Sequence, residues 1–239
     1  MQHTAVTLVI PAYNEEENLL PLLEEIRAAM QRQPRSWKAL FVDDGSSDGS
    51  LSVLRRAAAG DPQVRYIAFE HNCGHSSAFA AGFAEADADV LVTLDADGQN
   101  DPSDIPALLD VFDTGYDMVI GWRRNRRDGP ARRWSSKVAN AVRNLLTRES
   151  VRDTGCSLKV LRADMARDLP RFNGMHRFLP TLMKMRGARV AEQAVNHRPR
   201  SRGVSKYGLW DRALPALWDL FAVRWMQRRL FHYTIRERK

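Results

Sequence analysis

Two aspartates one residue apart, Asp95 and Asp97, with Gln99 two positions further on, follow directly on the apolar run Val90-Leu91-Val92-Thr93-Leu94. Two carboxylates and an amide at this spacing offer hard oxygen donors of the kind that suits Mg²⁺ or Mn²⁺. An apolar, β-branched run cut off by Gly98, Asn100, Asp101 and Pro102 reads as a buried strand ending in a polar turn. The acids then sit at the strand's carboxyl end, the edge of an open α/β sheet where ligands bind. Read alone, the pair is more simply an acid-rich turn that satisfies its own backbone. A second acid-tipped run tilts the balance: Ala39-Leu40-Phe41-Val42 leads into Asp43-Asp44-Gly45-Ser46-Ser47-Asp48-Gly49-Ser50. A nucleotide carries base and ribose donors that a carboxylate accepts, and a diphosphate that a metal bridges. Asp44 and the Asp95/Asp97 pair would supply those two ends. Neither G-x-G-x-x-G nor G-x-x-x-x-G-K-[ST] occurs, so dinucleotide-dehydrogenase and P-loop readings lose their usual support.

These groups need a frame, and the hydrophobic pattern supplies one. Val6 to Ile10 is a first buried strand, stopped by Pro11; Asn14 caps the helix that follows. Glu15, Glu16 and Glu17 favour that helix's positive end, and Leu19, Leu22, Leu23, Ile26 and Met30 recur at helical spacing. After the strand at Ala39–Val42 come a helix from Leu51 to Ala59, a strand from Val64 to Phe69 and the turn His71 to His75. A small-residue helix from Ser76 to Ala86 leads back to Val90. Strands alternating with helices imply right-handed crossovers and a mostly parallel sheet covered on both faces.

Composition bounds the rest. A chain of 239 residues with 44% hydrophobic content buries a full core and is most simply one domain with a tail. The two cysteines, Cys73 and Cys156, are too isolated for a disulfide framework or zinc site, which makes a reducing compartment the default; Cys156 reads as a small buried residue. The start of the chain shows no basic and apolar leader pattern, and charge interrupts every window of the roughly 20 residues needed to span a bilayer. A formal net charge of +7 favours anionic partners: nucleic acid, phosphorylated ligands or an anionic membrane. His71 and His75 read as turn polarity rather than as a metal pair. His176 reads either as a group shaping an acceptor site or as a structural hydrogen-bonder. For Asp153 the alternatives are a partner for arginines and a helix cap; for Trp122 and Trp134 they are interfacial anchors and core packing.

Three stretches then resemble the ordered motifs of family 2 glycosyltransferases: Val9-Ile10-Pro11-Ala12-Tyr13-Asn14-Glu15, Val42-Asp43-Asp44-Gly45-Ser46-Ser47-Asp48-Gly49 and Leu94-Asp95-Ala96-Asp97-Gly98-Gln99-Asn100-Asp101-Pro102. Within that family the chain is most similar to the polyprenyl-phosphate branch, of dolichyl and undecaprenyl type. The similarity continues through Gly121-Trp122-Arg123, Asp153-Thr154-Gly155-Cys156, Met175 to Pro180 and Arg200 to Tyr207, and covers roughly residues 5 to 210. The resemblance implies a GT-A fold, Rossmann-like with helices on both faces, and inverting transfer from a nucleotide-diphosphate sugar to a polyprenyl phosphate. Carried over by position, Pro11, Tyr13, Glu15, Val42, Asp44, Asp95 and Ala96 would hold the nucleotide sugar. Asp95, Asp97 and Gln99 would hold Mg²⁺ or Mn²⁺. Arg123, Arg200 and Lys206 would face the phosphates, completing a catalytic set with Asp95 and Asp97. Arg123, Arg132 and Ser136 would bind the acceptor phosphate, with Arg133 and Ser135 as neighbours able to take those roles. Trp122 departs from the commoner serine of the Gly-Ser-Arg motif.

Elementary chemistry agrees with that assignment. A sugar leaving a diphosphate develops negative charge on the β-phosphate, which calls for a cation and fixed positive donors. A hydroxyl acceptor needs a general base. A phosphate monoester does not, because with a second pKa near 6 it is largely dianionic at neutral pH. The stretch from Arg123 to Arg143, where Asp128 is the only acid, suits bidentate capture of such an acceptor; its competing readings are a solvated basic loop and a nucleic-acid patch.

In the tail, Trp210, Leu214, Leu217, Trp218, Phe221 and Trp225 fall on one helical stripe, with Asp211, Arg212, Asp219, Arg224 and Arg228 off it. Pro215 is expected to kink the helix or begin a second one. Aromatics on one face and arginines on the other suit an interfacial helix on an anionic membrane surface; the competing reading is a helix packed on the domain or in a dimer interface. The expectation is a GT-A glycosyltransferase domain over residues 1–207 and an amphipathic membrane-interface tail over 208–239. Function is expected at the cytoplasmic, inner face of the plasma membrane, as a peripheral protein serving cell-envelope glycan or lipopolysaccharide synthesis. A same-fold enzyme acting on a glycan or protein hydroxyl stays open, as does a homo-oligomer. A non-catalytic nucleotide- or nucleic-acid-binding module fits less well, since no aromatic-interleaved RNA motif accompanies the acids, and no nucleic-acid partner is expected.

Overall fold

A computed structural model describes residues 4–124, 141, 143–144, 146–147, 150–199, 210–229 and 237. Among these, β1 (Val6–Ala12), β2 (Trp37–Asp43), β3 (Val64–Ala68) and β4 (Val90–Thr93) run parallel in the order β3-β2-β1-β4. The sheet continues through β6 (Lys159–Arg162), antiparallel to both β4 and β5 (Met118–Arg123), and ends at β7 (Val190–Val195), parallel to β5. The chain builds outward from β1 to β3, then returns to place β4 on β1's other side. That reversal opens a crevice between the tips of β1 and β4, where ligands of open α/β sheets bind.

Both faces of the sheet are buried at β1, β2 and β4, which is why these strands read as largely continuous apolar runs. In β1, Val6, Leu8, Ile10 and Ala12 enter one core with Leu19, Leu22, Leu23, Ile26 and Met30 of α1 (Glu16–Met30), Val53 and Leu54 of α2 (Ser50–Gly60) and Leu108 and Leu109 of α4 (Ile105–Asp113). Val9 faces the opposite core, formed with Phe79 and Phe83 of α3 (His75–Glu85), Ala163 and Ala166 of α5 (Ala163–Arg167) and Leu182 and Met183 of α6 (Leu179–Met185). The alternation follows from the period-2 placement of side chains along a strand.

Two local expectations change. Pro11 does not stop β1, which runs on to Ala12. Pairing with β4 ends at Val9 opposite Thr93, so the missing N–H of Pro11 leaves that ladder intact. Asn14 is not the helix cap. It stands at φ 54°, a left-handed conformation that asparagine tolerates, and its side chain reaches the β2–α2 loop instead.

The tail forms one helix, α7 (Trp210–Arg229), which continues through Pro215. Leu220 and Val223 bury into the second core, whereas Trp218, Phe221 and Trp225 stand 75%, 58% and 63% exposed. The helix therefore packs on the domain by a face other than its aromatic stripe. Trp210, Leu214 and Leu217 have side chains outside the described set. No helix among the described residues is long and apolar enough to cross a membrane.

Candidate active site

The first two motifs are zipped together at the sheet edge. Asn14 N donates to Ser46 Oγ at 2.9 Å, and Asn14 Oδ1 accepts from Ser47 N at 2.7 Å. Glu15 N donates to Ser50 Oγ at 2.9 Å, while Gly49 N donates to Glu16 Oε2 at 2.9 Å. Side chains thus satisfy backbone groups that a loop over a sheet edge would leave unpaired. Pro11 and Val42 are paired neighbours in adjacent strands, so the expected nucleotide residues Pro11, Tyr13, Glu15, Val42 and Asp44 share one edge.

Asp44 is buried, and its carboxylate accepts from Cys73 N at 2.7 Å, Gly74 N at 2.9 Å and Asn72 Nδ2 at 3.0 Å. Burial pushes its pKa up, against the pull of the Cys73 and Gly74 amides. In this arrangement Asp44 braces the turn that starts α3. Gly45, at φ +68°, makes the close approach to that turn, because a Cβ would stand 2.4 Å from the His71 carbonyl carbon.

At the tip of β4, Ala96 is buried, and the turn carrying Asp97 and Gln99 is closed by Gln99 N donating to Asp97 Oδ1 at 3.1 Å. Asn100 Oδ1 accepts from Asp95 N at 3.3 Å and from Ser157 Oγ at 2.7 Å; Thr93 Oγ1 donates to Ser157 O at 2.6 Å. The loop after β4 is therefore fastened to the segment before β6, a link absent from any sequence pattern. Asp95 Oδ1 is itself enclosed and has no aligned hydrogen-bond donor, although 34% of the side chain is exposed and His75 Nε2 lies 3.2 Å away. Burial raises the Asp95 pKa, but the neighbouring His75 imidazole, Ser157 hydroxyl and Lys159 ammonium outweigh it and hold the carboxyl below the usual range. His75, read from sequence as turn polarity, is a neighbour of the acid pair.

An ionised carboxylate at the strand tip, followed two residues on by a second carboxylate and then by an amide, is a donor set that fits a hard divalent cation. No group of three or more His, Cys, Asp or Glu among the described residues forms a metal cage by itself. Asp95, Asp97 and the Gln99 amide would instead share a cation with a substrate's phosphate oxygens, the usual habit of Mg²⁺.

Two strands along from β4, Arg123 ends β5 with its guanidinium held fork-on by Asp153, at 2.7 Å from Nε to Oδ2 and 2.9 Å from Nη2 to Oδ1. Asp153 Oδ2 also accepts from Arg123 N at 3.2 Å, so of the two readings Asp153 is an arginine partner, not a helix cap. Trp122 carries the Arg152 guanidinium 5.2 Å above its ring. Cys156 is buried, and burial pushes its thiol up to about 11. His176 Nδ1 lies 2.7 Å from Ser76 Oγ, which accepts from Gly174 N at 2.9 Å, and its ring packs edge-on to His75 at 4.9 Å. Burial lowers the His176 pKa well below its ordinary value, helped by His75 and Arg177, so the ring sits neutral in hydrogen-bond contact with the Ser76 hydroxyl. Arg132, Ser136, Arg200 and Lys206 lie outside the described residues.

A mostly parallel sheet with acids at the carboxyl tips of β2 and β4, on either side of β1, is the GT-A architecture. The model of "glycosyl transferase family 2" matches residues 7–169, and the chain belongs to that family. It is 36% identical to a dodecaprenyl-phosphate galacturonate synthase of Rhizobium johnstonii, over 95% of this chain and 69% of that protein. It is 38% identical to an undecaprenyl-phosphate 4-deoxy-4-formamido-L-arabinose transferase of Yersinia pestis, over 90% of this chain and 66% of that protein. The chain thus spans about two thirds of the length of these relatives. Among solved structures, mannosyl-3-phosphoglycerate synthase from Rubrobacter xylanophilus superposes with a TM-score of 0.70 at 17% identity, over 99% of this chain and 79% of that one. Glucosyl-3-phosphoglycerate synthase from Mycobacterium tuberculosis, in complex with Mn²⁺, UDP-glucose and phosphoglyceric acid, gives 0.67 at 17% identity, over 94% and 79%. At such identities the likeness is one of fold.

Proposed function

We propose that this chain transfers a glycosyl group from a nucleoside-diphosphate sugar to a polyprenyl phosphate, with inversion, at a membrane surface. The observation that carries the reading is the pairing of Asp95, Asp97 and Gln99 at the tip of β4 with a fixed guanidinium, Arg123, at the tip of β5, on either side of antiparallel β6. One side offers oxygen ligands, the other a phosphate-complementary charge. The names of the two sequence relatives support a polyprenyl-phosphate acceptor, and because they carry different sugars they leave the sugar open.

The edge bearing Pro11, Tyr13, Glu15, Val42 and Asp44 would seat the nucleotide, with Asp95 and Ala96 beneath the diphosphate. A Mg²⁺ or Mn²⁺ held by Asp95, Asp97 and Gln99 would supply charge neutralisation on the departing diphosphate. Arg123, oriented by Asp153, would hold the acceptor phosphate, whose oxygen needs no general base to attack. Arg132 and Ser136 are assigned to the same phosphate, and Arg200 and Lys206 to the diphosphate, by family position alone. Exposed Trp218, Phe221 and Trp225, with Arg228 and Arg229 at the helix end, support contact with an anionic bilayer at the inner face of the plasma membrane.

The test incubates purified protein with undecaprenyl phosphate, Mn²⁺ or Mg²⁺ and a panel of UDP- and GDP-sugars, and seeks a phosphate-linked glycolipid by mass spectrometry. One sugar should yield product. Nucleotide-sugar hydrolysis alone, or transfer to a hydroxyl acceptor in preference, would reject the reading.

A further inference from the structure

Past β7, residues 196–198 run beside the metal loop and bond to it repeatedly. Asn196 N and Nδ2 donate to Asp104 Oδ2 and Oδ1 at 2.7 and 3.2 Å. His197 forms an antiparallel bridge with Asn100, and Arg198 N donates to Gln99 O at 3.0 Å. The Arg198 guanidinium then spreads between two elements: Nη2 meets Asp101 Oδ1 at 2.8 Å, and Nη1 meets Glu25 Oε2 of α1 at 2.7 Å. One side chain thereby joins α1, the loop carrying Gln99 and the extension of β7. Because Val195 of β7 stands in register with Arg123 of β5, the same junction sets where Gln99 lies relative to Arg123.

The loop is dense in like charge, with Asp95, Asp97, Asp101 and Asp104 inside ten consecutive residues and Glu25 facing it from α1. Asp101 also accepts from Ser103 N at 3.0 Å and Ser103 Oγ at 2.6 Å, so its carboxylate turns the chain into α4 while holding Arg198. A cation bridging Asp101 and Glu25 offsets repulsion that would otherwise spread the loop.

We propose that Arg198 is a positioning residue for the metal site: its guanidinium, spanning Asp101 and Glu25, holds the 99–101 backbone so that Gln99 and the two aspartates converge on one cation. The proposal rests on the metal-dependent reading above. It is not a role in the core, since the Arg198 side chain is 39% exposed and its partners are loop and helix-surface carboxylates.

Positioning and simple charge make opposite predictions. Removing a positive charge near a cation site strengthens cation binding if charge is all that matters; removing the brace weakens it. Mn²⁺ binding is measured by electron paramagnetic resonance with UDP present and, in a parallel series, GDP, on the wild type, Arg198→Met, Arg198→Lys and Glu25→Gln. Arg198→Met should bind Mn²⁺ about tenfold more weakly, the loss of about 1.4 kcal/mol. Its kcat at saturating Mn²⁺ should stay near that of the wild type, and its Tm within a few degrees. Lysine, reaching one carboxylate at a time, should recover part of the loss, and Glu25→Gln, which removes one prong, should cost about twofold. Unchanged or tighter Mn²⁺ binding in a folded Arg198→Met, or unchanged binding in the charge-conserving Arg198→Lys should the former not fold, overturns the proposal and leaves the functional reading standing. A wild type that binds no Mn²⁺ with either nucleotide overturns both.

Discussion

Replacing Asp153 with asparagine tests the Arg123 site most sharply, because the substitution keeps the shape and removes only the charge and one acceptor. Arg123 and Asp153 are 15% and 11% exposed at the side chain, and the carboxylate receives the Arg123 Nε, Nη2 and backbone N. Breaking a buried ion pair by neutralising one partner costs about 3–5 kcal/mol, since the other charge stays buried without compensation. Residual solvent access and the amide oxygen that asparagine retains put this case near the lower figure, about 3 kcal/mol. In a domain of this size each kcal/mol lowers Tm by about 2–4 °C, so thermal unfolding should shift down by about 6–12 °C. The guanidinium would then swing away from the β5 tip. In the glycolipid assay the KM for polyprenyl phosphate should rise about tenfold or more, as expected on losing a charge-assisted hydrogen bond, while the KM for the nucleotide sugar changes little. An unshifted Tm would show that the pair is not the buried junction described. A Tm loss with equal effects on both substrates would remove Arg123 from the acceptor side.

Asp97→Asn or EDTA should abolish turnover while circular dichroism remains native, and Gln99→Ala should cost less because an amide is the weaker ligand; full activity in EDTA would remove the metal from the chemistry. Trp218, Phe221 and Trp225 changed together to serine should leave Tm almost unchanged, because these side chains are exposed, yet abolish sedimentation with anionic vesicles. Wild-type binding should fall as salt rises, and vesicle binding that survives the triple change would assign the face to a protein partner. His176 is held neutral in the fold, so the unfolded chain takes up the proton first and stability must fall as pH drops through about 6.5. His176→Asn should flatten the Tm profile between about pH 7.5 and 5.5, and an unchanged slope would show that His176 is not the group responsible.

Much of this molecule follows from local chemistry. The apolar runs from Val6, Ala39 and Val90, the last two ending in acids, specify parallel strands with polar tips, because a strand buried on both faces must be apolar throughout and its loop must carry the ligands. The spacing of Leu19, Leu22, Leu23, Ile26 and Met30 similarly specifies the buried face of α1, because helical periodicity is a local property of the chain. What the residues could not announce were partners distant in sequence. Asn14 looked like a cap because it precedes glutamates, but the Ser47 amide, 33 positions on, claims its side chain. His75 looked like turn polarity until packing put it 3.2 Å from Asp95. The aromatic stripe of α7 suggested a single apolar face, yet the domain takes Leu220 and Val223 and leaves Trp218 and Trp225 outside. Asp153 with Arg123, and Arg198 with Asp101 and Glu25, are joined across 30, 97 and 173 positions. Pattern and propensity act over a few residues, whereas a charge pair is chosen by which strands become neighbours, and only the closed sheet decides that.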